Sequence, residues 1–182
     1  MDAGKFGSLE EEVVFLRAHV HVTRLVDDLL EDCLQQRMGL SAALGVFTSQ
    51  CRRLLGATAA VARLVGTTGP VLTLTDGEIR FDVEEALADF GIRSLGGQSL
   101  FVKKLALGNA WLGTFVVAMP PPPSPKQVMA LVEAMGEQLD SAVLGFLALA
   151  EGRSPAERLD ELNRDDAFRP RTHVGRYELL LP

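Results

Sequence analysis

With 182 residues, 47% of them hydrophobic and 23% charged, the chain has enough apolar side chain to bury a core without disulfide staples, and too much to stay unfolded. Its 18 Lys and Arg against 24 Asp and Glu leave a net charge of -6, which argues against nucleic-acid or anionic-membrane binding through a basic surface. The start, MDAGKFGSLEEE, lacks the basic residues, apolar run and small-residue cleavage site of a secretory leader, and no apolar stretch is long enough to span a bilayer, so the expected location is the cytoplasm.

Residues 1–8 are expected to be disordered. Ser8 to Glu11 then reads as a capping box, in which the Ser8 hydroxyl accepts from a first-turn N–H and Glu11 reaches back. Val13, Leu16, Val20, Val26, Leu29, Leu30 and Cys33 recur at helical intervals behind it, which predicts a long, acidic first helix to about Arg37. Gly39 breaks the pattern. A second helix follows, with Ser41 as N-cap, Leu44, Phe47 and Cys51 on the buried side, and Gly56 as its stop.

The period then shortens. Residues 58–66, 71–75 and 78–83 read as strands, with Asp76-Gly77 as the turn between the last two. EEALADFG is a short helix-compatible piece ending at Gly91, and the glycine-rich 94–98 reads as a mobile loop. Residues 99–106 and 110–119 are two further strands, expected to pair antiparallel across Leu107-Gly108-Asn109. Four prolines end the second of them, and Ser124 (N-cap), Pro125 (first position) and Gln127 announce another long helix. Val128, Leu131, Val132, Met135, Leu139, Val143, Phe146 and Leu149 form its apolar stripe up to Gly152. Residues 153–171 are a charged linker too poor in apolar side chains to build a core, with a short helix expected at Pro155 to Asn163.

The order helix, helix, strands, loop, hairpin and long helix resembles the GAF domain, a family of small-molecule-binding and dimerising sensor modules. The match runs from about Glu10 to Gly152 and is most family-like around Leu112-Gly113-Thr114-Phe115 and the helix after the prolines. It implies an α+β domain over 9–152, with a GAF-like central antiparallel sheet flanked by long N- and C-terminal helices. The ending, VGRYELLLP, resembles the first strand of a bacterial Ser/Thr protein kinase domain of the eukaryotic type. On that resemblance, 172–182 is the truncated start of a following kinase-like domain whose sheet the strand would join. The kinase family's catalytic parts are absent from this chain, so no kinase activity is carried over.

His19 and His21 would share a face on a strand, but on a helix they point about 200° apart, so they read as surface or interface residues and no metal site is assigned. Cys33 and Cys51 read as packing residues, with thiol redox sensing as the alternative and Arg52 and Arg53 giving Cys51 a slight claim. No Ser or Cys has a base beside it in a catalytic signature, so no catalytic residue is assigned. Some GAF relatives use loop cysteines as reductases or pigment carriers, and 56–119 contains no cysteine, which removes the basis for both here.

A pocket between sheet and loops remains, as the resemblance implies. Phe81, Phe90, Leu95, Phe101, Trp111 and Phe115 are its candidate walls, and Arg93, with Asp82, Glu84 and Glu85, its candidate polar anchors; no cofactor or ligand is assigned. The resemblance also implies a parallel homodimer through the long helices, with Leu16, Val20, Val26, Leu29, Leu139, Val143 and Phe146 as candidate interface residues. The bland alternatives are that the aromatics are ordinary core and that both helices pack within one chain. The expected function is therefore a cytoplasmic, non-catalytic sensory or regulatory module that relays a signal to a C-terminal effector, a Ser/Thr kinase. A thiol redox sensor or small enzyme on the same fold is one alternative, and a purely structural dimerisation domain is another.

Overall fold

A computed structural model describes residues 9–65, 72–107, 110–152 and 157. Its elements are α1 (Leu9–Gln35), α2 (Leu40–Leu54), β1 (Ala59–Leu64), β2 (Leu72–Gly77), α3 (Val83–Ala86), β3 (Gly91–Leu95), β4 (Gln98–Leu107), β5 (Ala110–Met119) and α4 (Pro125–Glu151). The five strands form one antiparallel sheet in the order β2-β1-β5-β4-β3, so the fold is α+β about a central sheet, as expected.

Side chains alternate across a strand, so the sheet has two different faces. Ala60, Ala62, Phe101, Leu105, Phe115 and Val117 point towards the helices, where they meet Phe47 and Cys51 of α2, Met135 and Leu139 of α4, and Val26 and Leu30 of α1. Phe47 and Phe115 pack ring to ring in a tilted pair, centroids 5.0 Å apart. Here α2 covers β1 and β2, α4 covers β4, and α1 lies chiefly on α4 and α2. The other face carries Ala59, Val61, Leu100, Val102, Val116 and Ala118, capped by Ala86 and Leu87 and by Ile79, Phe81, Val83, Phe90 and Leu95.

Several boundaries differ from the sequence reading. Residues 78–83 are not a strand: β2 continues through Asp76 and Gly77, which pair with Ala60 and Ala59, so the expected Asp76-Gly77 turn lies inside the sheet. The chain then turns into α3, nucleated by Asp82, whose carboxylate accepts from the Glu85 N–H at 2.9 Å. The short helix ends at Ala86, and Gly91, at φ 94°, opens β3. Residues 94–98 are not a loop but the tip of a β3–β4 hairpin: Gly96 and Gly97 both take positive φ, 58° and 76°, as a two-residue hairpin turn requires. The N-cap of α2 is Gly39, which places Ser41 inside the first turn. At α4, Ser124 stands at the N-cap without a side-chain capping bond, Pro125 is at the helix start, and Gly152 closes the helix in the left-handed conformation at φ 66°. Ser8, the charged linker and the kinase-like ending lie outside the described residues, as does the short linker helix apart from Glu157.

Candidate functional site

The sheet divides the predicted pocket. Phe101 and Phe115 are fully buried on the helix-facing side, within the main core. Phe81, Phe90 and Leu95 pack on the opposite face, and Arg93 belongs there too, because it pairs directly with Leu100. Trp111 is buried, and its indole N–H donates to the Gly113 carbonyl at 2.8 Å. The six apolar candidates therefore do not line one cavity: a sheet separates two groups of them.

On the second face, small side chains let the covering segment approach closely. Ala59 and Ala118 make room for Ala86 and Leu87, which are themselves buried, so side chains of the chain itself fill this part of the face. The predicted polar anchors serve the same segment. Glu84 forms a two-pronged ion pair with Arg63 at 2.5 and 2.8 Å, and the Arg93 guanidinium donates to the Glu85 carbonyl at 2.8 Å. Together with the Asp82 cap, these bonds tie α3 to β1 and β3.

The cysteines sit in the helix-facing core. Both are buried; loss of water around the Cys51 thiol pushes its pKa strongly up, and burial, aided by the nearby Asp32 charge, does the same to Cys33. Arg52, the expected electropositive neighbour of Cys51, instead pairs with Asp76. A reactive thiol needs the reverse, exposure and a lowered pKa. His19 lies half-buried beside Phe15, ring centroids 5.9 Å apart, while His21 is exposed; His173 is outside the described residues. Among the described residues, no three His, Cys, Asp or Glu side chains converge as a metal site.

The predicted interface residues also separate. Val26, Leu139, Val143 and Phe146 are buried within the monomer and Leu29 is half-buried, whereas Leu16 and Val20 are 51% and 65% exposed. Burial along α1 begins only at Val22. The first three turns thus stand largely clear of the core and carry a stripe of Leu9, Val13, Leu16 and Val20 on the surface. Beside the stripe, a cleft of about 430 Å³ runs between α1, α4 and the β3 edge, lined by Phe15, Leu16, Ile92, Met129, Lys126 and Glu133. Sequence periodicity places the stripe residues on α1 but does not separate them from those that face α4.

No protein-family model matches the chain, and no curated protein matches it in sequence. No helix among the described residues is long and apolar enough to cross a membrane.

Proposed function

We propose that this chain is a non-catalytic regulatory module of GAF-like build, which self-associates through α1 and passes a signal beyond α4 to a C-terminal effector of the Ser/Thr kinase type. The observation that carries the reading is the uncovered stripe on α1: Leu9 is 76% exposed and Val20 65%, in a domain whose two sheet faces are otherwise packed. The layered arrangement of an antiparallel sheet with long first and last helices supports the GAF resemblance. The kinase effector rests on the likeness of VGRYELLLP alone. Cytoplasmic location belongs to the same proposal.

Light scattering across a concentration series tests self-association of the full chain, with a mass twice that of the monomer expected at the upper end. A monomer throughout overturns the proposal. The filling of the second face by Ala86 and Leu87 favours a second reading, in which the module is a structural dimerisation domain with no ligand. A thermal-shift screen of nucleotides and small organic acids separates the two. A reproducible rise in Tm supports sensing; an intact dimer that responds to none of them supports the structural reading.

A further inference from the structure

We infer that the exposed stripe on α1 is the seam of a short parallel coiled coil with the α1 of a second copy, with Val13 and Val20 at its a positions and Leu9 and Leu16 at its d positions. The inference rests on the self-association proposed above and adds its seam and register. The spacing 9, 13, 16, 20 alternates steps of four and three, the repeat that keeps one seam facing a partner helix. A helix advances 100° per residue, so this seam lies roughly a third of a turn from the line of Val22, Val26, Leu30 and Cys33 that faces the core. A second helix can therefore dock on it without displacing α4. At the next heptad the repeat meets Thr23 and the exposed Asp27, which ends the seam after Val20.

Two features of the sequence select the partner and its direction. β-branched residues at a with leucine at d favour two parallel strands, and the stripe has valine at both a positions and leucine at both d positions. The flanking positions are complementary to themselves. Glu12 falls at g and Arg17 at the following e, so two parallel, in-register copies bring Glu12 of each beside Arg17 of the other. The helix is already formed by its own C-terminal turns, which are anchored in the core, so docking does not have to pay for nucleation. With only two heptads in the seam, the dimer is expected to be concentration-dependent. A parallel pair related by a two-fold axis along α1 also brings both copies of Gly152 out at the same height, where paired downstream segments would meet.

Cysteine cross-linking of the full chain tests the register. Leu9→Cys and Leu16→Cys are each expected to give a covalent dimer on native oxidation, whereas Ala18→Cys, on the far side of the helix, is not. An antiparallel pair would set residue 9 opposite residue 20, so failure of Leu9→Cys alongside cross-linking of the Leu9→Cys/Val20→Cys double variant overturns the parallel seam. Glu12→Arg is expected to weaken the dimer several-fold and Glu12→Arg/Arg17→Glu to restore it, on the order of one exposed ion pair for each contact. Leu16→Asp/Val20→Asp should raise Kd by ~10-fold or more while lowering the Tm of the monomer only slightly, because both side chains are more than half exposed. A wild-type dimer indifferent to that double change means that self-association stands and this seam is wrong. A wild-type chain that never dimerises removes both.

Discussion

Asp140 on α4 faces Lys103 on β4 across the helix–sheet interface, and the carboxyl group is almost fully buried, with one oxygen lacking a hydrogen-bond partner. The aliphatic stem of Lys103 reaches it over Gly136, where a Cβ would lie 2.6 Å from the Lys103 Cγ. The β4 bulge after Leu105 lies alongside, and the Ala106 N–H donates to the carboxyl group. Burial dominates the balance. It raises the Asp140 pKa to about 7, against the opposing pull of the Lys103 charge and the Ala106 N–H, while Glu137 one turn earlier pushes the same way as burial.

The first prediction follows from the sign of that shift. An acid with a higher pKa in the folded chain binds its proton more tightly there, so its contribution to stability falls as pH rises from about 4 to about 7 and is level above. Asp140→Asn keeps the shape and removes the charge. It should stabilise the protein at pH 8 by ~2 kcal/mol, with the advantage shrinking towards pH 4. Denaturant melts of both proteins across that range provide the check. Parallel stability curves would mean that Asp140 is hydrated as an ordinary surface carboxylate.

The thiols give a second prediction. Cys33 and Cys51 are buried with raised pKa values, so an aromatic disulfide reagent should modify neither at neutral pH until the chain is unfolded. Conservative Cys→Ser changes should leave self-association intact, at a stability cost of ~1–2 kcal/mol for placing a hydroxyl in an apolar site. Rapid labelling of the native protein, or loss of the dimer on modification, would instead favour the redox-sensor alternative.

The long periodic elements were legible in the sequence because their signal repeats many times. Both 27-residue helices and the β4–β5 hairpin fall within a few residues of where the pattern put them. The segment between them was harder. Ile79, Phe81 and Val83 alternate like a strand because all three pack down on the second sheet face, yet residues 78–82 make no ladder and Asp82 turns them into α3. β3 escapes a reading of the sequence because Gly96-Gly97 looks like part of a loop, whereas two consecutive glycines between short β-compatible runs are also the signature of a two-residue hairpin. The candidate site suffered from the same limit. Periodicity shows that Phe81 and Phe115, or Val20 and Val26, belong to apolar faces, but which face each one meets is decided by the sheet and by α4.

A third prediction contrasts two glycines. Gly113 sits in β5 between β1 and β4, opposite Leu64 and Leu105, and a Cβ there would lie 1.9 Å from the Arg63 carbonyl oxygen. That obstacle is backbone in the middle of the sheet and cannot swing aside, and the Gly113 carbonyl also holds the Trp111 indole N–H. Gly113→Ala is therefore expected to cost ~3 kcal/mol, by forcing β1 and β5 apart at the centre of the fold. Gly45 lies inside α2, where a Cβ meets only Leu74 Cδ1 at an ordinary 3.7 Å. Gly45→Ala should instead stabilise by ~0.5–1 kcal/mol, since alanine loses less backbone freedom in a helix. Urea unfolding of the two variants beside the wild type measures both, and a Gly113→Ala protein as stable as the wild type would mean that the close approach of β1 and β5 at Arg63 is wrong.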